Sequence, residues 1–205
     1  MIEVNIQSSI LIKGKKSLYF DPIKQSNKND ADYIFITHSH YDHFSKEDIL
    51  KVKNDGTIII VPYDIYDECL DMGFSKDKII KVKPYEEYNL EGVSFKTVRA
   101  YNLDKPFHPK ENNWVGYVLS FEDKRYYVAG DTDSLPENLF ADIDVAFVPI
   151  GAVYTMDALE AADFINKMKP KCVIPIHYGM VVGSDDDLKQ FIENVNKEIK
   201  VDVLL

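Results

Sequence analysis

The chain of 205 residues is poor in the residues that staple small folds. It has two cysteines, Cys69 and Cys172, far apart and without C-x-x-C partners. Neither a disulfide framework nor a cysteine zinc site is indicated. Both lie among apolar residues and read as buried, reduced thiols of a cytoplasmic protein. No apolar run approaches the roughly 18 residues that span a bilayer, so no membrane partner is expected. The opening "MIEVNIQSSILIKG" has no basic leader and no small-residue cleavage site, so it does not read as a signal peptide. Positive charge is also in deficit: 24 Lys and Arg against 34 Asp and Glu leave a net charge of -10. That field repels phosphate backbones, and nucleic acid is not an expected partner. The cluster Lys13, Lys15 and Lys16 reads as a solvated face. No G-x-S-x-G elbow or Ser-His-Asp order is present, and "GKKS" lacks the first glycine of a phosphate-binding loop. Serine hydrolysis and nucleotide cradling have no support.

What is present suits one soluble domain over residues 1–205, with 45% hydrophobic and 28% charged residues. "SSILIKG", "SLYFDP" and "DYIFITH" read as strands. "SKEDILKVKNDG" reads as a helix with a Ser45/Asp48 capping box and a stop at Gly56. "TIIIVP" is a strand buried on both faces. "DIYDECLDMG" is a second helix, with Asp64 as N-cap and Gly73 as its C-terminal glycine. "KIIKV" is a strand. "YNLEGVSFKTVRAYN" and "WVGYVLSFEDKRYYVAGDT" are hairpins turned at Glu91-Gly92 and at Glu122 to Lys124. "DVAFVPI" and "KCVIPIHYG" are strands around a helix whose buried face is Ala158, Leu159, Ala162, Ile165 and Met168, stopped by Pro170. A last helix is capped by Ser184 and Asp187 and carries the stripe Leu188, Phe191, Ile192 and Val195. "VDVLL" closes as a strand. Each half of the chain holds several strands and two helices. Two such halves packed sheet to sheet predict an α/β, four-layer αβ/βα sandwich with its loops gathered along one edge.

Histidine is scarce too, at five in the chain. Yet "ITHSHYDH", Ile36 to His43, holds three of them and an aspartate. They begin where the apolar strand "YIFIT" ends. His38 and His40 are two residues apart and point the same way in extended backbone. Asp42 and His43 follow together. Imidazole nitrogen with carboxylate oxygen is a donor set for divalent metals, and this arrangement can feed two ions.

"THSHYDH" resembles the H-x-H-x-D-H loop of the metallo-β-lactamase superfamily, and the resemblance spans nearly the whole chain. "YFDP" at Tyr19 to Pro22 is similar to that family's early Asp motif. "YYVAGDTD" at Tyr126 to Asp133 resembles the strand ending in the bridging aspartate. "VIPIHYG" at Val173 to Gly179 resembles the strand ending in the last histidine ligand. The compact form and "GDTD" look most like the small hydrolases grouped with L-ascorbate-6-phosphate lactonases. The resemblance implies that His38 and His40 bind one metal, and that Asp42, His43 and His177 bind a second. Asp131 would bridge them, and Asp21 would orient the loop; alternatively Asp21 is a plain Asp-Pro turn. One motif departs. Family members end the strand before the bridging hairpin in a histidine ligand, where this chain has Asn102. His108, six residues on, is the one histidine left to serve as ligand. A substrate-facing or plain surface position is the alternative.

The chemistry implied is a metal-dependent hydrolase. Asp42 and Asp131 would serve two divalent ions, zinc first and manganese or iron next, that hold a hydroxide for attack on a small-molecule ester, lactone or phosphodiester. The alternatives are a phosphodiesterase or nuclease of the same fold, and a metal-binding regulator without turnover. Tyr41, Trp114, Tyr154 and Thr155 are candidates for the pocket wall, with core packing as the alternative for Trp114 and helix capping for Thr155. The physiological substrate and the oligomeric state are not encoded in these patterns.

Overall fold

The computed structural model describes residues 1–205. Its first sheet is β1 (Ile2–Val4), β2 (Ile10–Lys13), β3 (Ser17–Phe20), β4 (Tyr33–Phe35), β5 (Ile58–Pro62) and β6 (Ile79–Val82), side by side in that order. The second is β7 (Glu87–Leu90), β8 (Val93–Arg99), β9 (Val115–Phe121), β10 (Lys124–Val128), β11 (Val145–Pro149), β12 (Cys172–Ile176) and β13 (Lys200–Val201), also in chain order. Each sheet is antiparallel where hairpins connect it and parallel elsewhere: β3 to β6 in the first, β10 to β13 in the second. Parallel neighbours need a crossover rather than a tight turn. In the first sheet α1 (Lys46–Val52) and α2 (Tyr66–Asp71) supply two of them. In the second, α3 (Ala158–Met168) and α4 (Asp185–Asn194) do the same.

Three cores separate four layers. Alternation inside wholly apolar strands sorts the side chains. Tyr33 and Phe35 of β4 face the second sheet, whereas Ile34 and Ile36 face α1 and α2. Phe147 of β11 and Ile174 of β12 face inward, whereas Ala146, Val148 and Val173 meet α3 and α4. At the centre Phe35 stacks on Phe20 at 4.7 Å between ring centroids and meets Phe95 and Tyr117 of the other sheet edge-on at 5.2 Å. Just above them the Tyr117 hydroxyl donates to the Ile36 carbonyl at 2.6 Å, tying the second sheet to the first where the histidine loop begins.

Both hairpin turns fall where expected. Gly92 has φ +82°, and Glu122 and Asp123 have φ 49° and 59°, the paired left-handed residues of a type I′ turn. Several boundaries differ. β1 was not anticipated, since three residues are too few for a periodic pattern. α1 ends at Val52 because Lys53 is already extended, so Gly56 is not its stop. Its capping box is half made. Ser45 accepts the Asp48 N–H, but the Asp48 carboxylate accepts the Ser45 hydroxyl and the N–H groups of Lys24 and Gln25, not the Ser45 N–H. Asp64 does not cap α2, which a 3-10 turn over Tyr63–Ile65 precedes; its carboxylate accepts the Trp114 indole N–H at 2.9 Å. Leu159 of α3 and Ile192 of α4 are exposed; α3 buries Ala161 and Phe164 in place of Leu159. "VDVLL" is strand only to Val201. Cys69 is buried, Cys172 is half-buried and both are free.

Phe35 is fully buried and touches both sheets, so Phe35→Ala will open a cavity at the seam. The expected loss is about 3–5 kcal/mol, read from the urea midpoint at constant slope. A loss below about 1 kcal/mol would mean that the aromatic cluster does not hold the sheets together.

Candidate metal centre

Every residue of the centre lies just past a strand end. β3 is followed by Asp21, β4 by the loop from His38 to His43, β10 by Asp131 and β12 by His177. The loop after β8 carries Asn102 and His108. The strands are parallel where these loops leave them, so the loops share one edge of the sandwich. Gly130 (φ +67°) makes the bend before Asp131, and an added Cβ there would meet the Val115 carbonyl at 3.0 Å.

The five imidazoles converge. His38, His40 and His108 form one group with ligand atoms within 4.8 Å of one another, and Asp42, His43 and His177 form another. His108 thus fills the corner that the departure at Asn102 left in question. Between the groups stands Asp131, 3% exposed. Its Oδ2 lies 2.9 Å from His177 Nε2 and 3.4 Å from His108 Nε2, and its Oδ1 lies 3.3 Å from His43 Nε2.

Buried acceptors fix three of the rings. Thr37 Oγ1 donates to Asp21 at 2.6 Å and accepts from His38 Nδ1 at 3.0 Å. Asp21 also accepts the Thr37 N–H at 2.8 Å and pairs with His43 Nδ1 at 2.7 Å. Asn102 Oδ1 accepts both the N–H of His108, at 3.1 Å, and its Nδ1–H, at 3.0 Å. Since the backbone N–H can only donate, the amide orientation at Asn102 is determined. The Asn102 amide nitrogen then donates to Asp133 at 3.1 Å and to the Tyr154 carbonyl at 2.9 Å. Asp133 also accepts the Leu103 N–H at 2.8 Å and pairs with Lys105 at 2.6 Å. In each ring Nδ1 meets a buried partner and Nε2 faces the centre, the orientation metal-binding histidines require.

Electrostatics divide the rings. Burial, with the charge on His43, pushes His38 well below the usual imidazole range, and burial lowers His40 as well. Both are neutral donors. Burial also acts against protonating His43 and His177, but Asp131 outweighs it. His43 is held well above its ordinary value, and His177 is raised to about 9. The Asp131 carboxylate is in turn held well below its usual range by His177 and His43, against its burial. Asp131 therefore favours positive charge at the inner group. His43 Nε2, His108 Nε2 and Asp131 Oδ1 are buried without hydrogen-bond partners, a heavy cost unless something else binds them. Imidazole and carboxylate donors with free lone pairs fit a divalent ion.

Of the other expected residues, Tyr41 and Tyr154 line a cleft of about 250 Å³ over His40, Asp42, His108 and Asp131. Trp114 is buried beneath the rings of His38 and His40, at 5.0 and 4.8 Å, and serves as their packing surface. Thr155 is fully buried behind Tyr154, and Asp157, not Thr155, caps α3. Thr37 and Asp133, which hold the site together, and Phe107 and Val181, which line the cleft, were missed, and so was Gln7. Gln7, between β1 and β2, is fully buried with φ 54°. Its amide nitrogen lies 2.9 Å from His177 Nε2 and 3.2 Å from Asp42 Oδ2, and its carbonyl accepts the His177 N–H at 3.0 Å. Nothing in "NIQSS" marks it; only the neighbouring of β1 and β2 with the end of β12 brings it there.

A family model for the beta-lactamase superfamily domain matches residues 8–178. The chain belongs to the beta-lactamase superfamily. A UPF0173 protein of Pyrococcus abyssi is 32% identical over 179 residues, covering 84% of this chain and 80% of the relative. A UPF0173 metal-dependent hydrolase of Aeropyrum pernix is 30% identical, with 84% and 77% covered. Among solved structures, a protein from Parabacteroides distasonis superposes with a TM-score of 0.84 at 27% identity, over 98% of this chain and 91% of that one. A metallo hydrolase of Ignicoccus hospitalis shares the fold, with a TM-score of 0.78 at 21% identity over 98% and 93% of the two chains. These likenesses agree with the four-layer fold.

Because His43 and His177 hold protons in the metal-free centre, metal loading at pH 7 will displace them. The raised value of about 9 for His177 sets the window: release from that ring is expected below it, pH 7 included, and shrinks as the pH rises through about 9. Zinc titration calorimetry in buffers of different ionisation enthalpy counts the protons. A count of zero at pH 7 would show that the inner group is neutral before loading.

Proposed function

We propose that the protein is a hydrolase working through two divalent ions at this centre. His38, His40 and His108 would hold one, Asp42, His43 and His177 the other, and Asp131 would serve both. The single observation that carries the reading is the unpartnered, buried set His43 Nε2, His108 Nε2 and Asp131 Oδ1, aimed into one space. Zinc suits the donors first, and manganese or iron share them. Such ions, when bound, would lower the pKa of a coordinated water and polarise the oxygen of a carbonyl or phosphoryl group.

The chain's own residues do the rest. Asp21, Thr37 and Asn102 hold His43, His38 and His108 by their Nδ1 atoms and so present the other nitrogen. Trp114 backs the outer rings. Asp131 brings negative charge to the midpoint, and Asp42 brings it to the cleft side of the inner group. The substrate is a small-molecule ester, lactone or phosphodiester that the cleft admits. A regulator without turnover was attractive only while Asn102 left the outer group short of an imidazole; three rings converge there, which favours hydrolysis. The free thiols, pushed up by burial to about 12 for Cys69 and about 11 for Cys172, suit a reducing compartment, and we place the protein in the cytoplasm.

Metal analysis of the purified protein, with turnover of a generic ester or phosphodiester, tests the reading. Two ions per chain with turnover support it; one or none without turnover would overturn it. His108→Ala is expected to lower the load from two ions toward one. Asn102→Ala is expected to weaken outer-site affinity by roughly 10–100-fold, with the load restored at excess metal. An unchanged load and affinity in His108→Ala would remove that ring from the centre.

A further inference from the structure

The loops that bring in the polar residues also bring apolar ones. Tyr41 stands inside the histidine loop between His40 and Asp42 and is 75% exposed. Phe107 immediately precedes His108 and is 41% exposed. Val181 follows His177 by four residues and is 39% exposed. Tyr154 lies on the loop after β11, and its ring meets Phe107 edge-on at 4.6 Å between centroids. All four face the same cleft, whose floor is the polar centre. Single exposed apolar side chains need no explanation, but four from four loops converging on one polar floor make a ligand wall.

The wall is also held in place. Asn102 Nδ2 donates to the Tyr154 carbonyl and its Oδ1 holds His108, so one amide spans the two loops that carry Phe107 and Tyr154. No lysine or arginine lines the cleft. Lys105, on the Phe107 loop, is committed to Asp133 at 2.6 Å. Nothing in the wall grips a second anionic group away from the floor. At about 250 Å³ the cleft is smaller than the roughly 300–1,000 Å³ of sites for drug-sized ligands.

We infer that the substrate is a small, uncharged ester or lactone bearing an apolar group of about one ring beside the scissile bond, seated among Tyr41, Phe107, Tyr154 and Val181. The class excludes a substrate with a remote phosphate, the kind a sugar-phosphate lactonase takes. The inference rests on the hydrolase reading for its chemistry. In the reaction the oxygen of water bonds to the carbonyl carbon and the bond to the leaving oxygen breaks. One proton of the water ends on that oxygen, and the acid formed gives the other to solvent.

The test uses the full-length, metal-loaded protein and three γ-lactones: unsubstituted, γ-phenyl, and one with a phosphomonoester on the γ substituent. Proton release gives kcat/KM for each. The γ-phenyl lactone is expected to exceed the unsubstituted one by about tenfold or more, the low end for apolar discrimination, and to exceed the phosphorylated one. In Phe107→Ala and Val181→Ser the ratio of γ-phenyl to unsubstituted is expected to fall several-fold. Equal values, a preference for the phosphorylated lactone, or ratios unmoved by both variants would overturn the substrate class. Binding of the inert γ-phenyl lactam, followed by Trp114 fluorescence and aromatic NMR shifts, separates the two claims. Lactam binding lost in Phe107→Ala, without turnover of any lactone, keeps the apolar wall and counts against hydrolysis of this class. Turnover without discrimination keeps the hydrolase and sinks the class.

Discussion

A carboxylate with almost no access to water, Asp131, is compensated by imidazoles that arrive from three separate loops. That single arrangement decides much else. Burying the charge is costly unless it is met by cations or donors at close range. Asp131 answers it by favouring the protonated forms of His43 and His177 against their burial. The rings in turn stay in place because Asp21, Thr37 and Asn102 hold their far nitrogens. The centre is therefore a chain of dependencies that starts at the carboxylate and ends in buried hydrogen bonds some residues away. A divalent ion held there would meet the same charge, so donor geometry and electrostatics point the same way.

The fold has to hold this constellation against local backbone strain. Asp21, Gln7 and His177 all have left-handed backbone, at φ 43°, 54° and 58°. None is glycine, and such positions cost of order 1–3 kcal/mol where sparsely populated conformations are enforced. Asp21 and His177 follow the interior strands β3 and β12, and Gln7, between β1 and β2, is tied to the end of β12. The Gln7 carbonyl and the His177 N–H close on each other across the two sheets, and the Tyr117 hydroxyl does the same for Ile36. The aromatic seam around Phe35 is thus more than packing: it sets the distance at which loops from opposite sheets meet.

How much of this was legible in the sequence follows from where each signal lives. His38, His40, Asp42, His43, Asp131 and His177 are readable because each polar residue directly follows an apolar run, and a strand end is where a sheet presents its chemistry. The four layers were readable from buried runs alternating with amphipathic ones. Helix ends were less so. Gly56 and Asp64 are good terminal residues by type, yet Lys53 turned extended first and Asp64 was drawn to the Trp114 indole. Tertiary partners overrode local propensity in both places. Trp114 and Thr155 were candidates for the wall because they lie near the right strands, but neighbourhood in sequence does not say which way a side chain points. Gln7 was invisible for the opposite reason. It has no motif, and only the pairing of β1 with β2 beside the end of β12 gives it meaning.

The exchange at Asn102 and His108 carries a consequence for specificity. A histidine at a strand end is positioned by the sheet alone. Here the ring comes from a loop, and the strand-end residue has become the amide that holds it. The loop from Leu103 to His108 must then be pinned at both ends, which Asp133 does through Leu103 and Lys105, while Asn102 does it through His108. The same pinned loop presents Phe107 to the cleft. Donor and wall are thereby adjacent residues on one rigid segment, so a change that shifts the wall also shifts the ring. Tyr41 is placed the same way, between His40 and Asp42, so variation in what the cleft accepts is easier through Val181, four residues past His177.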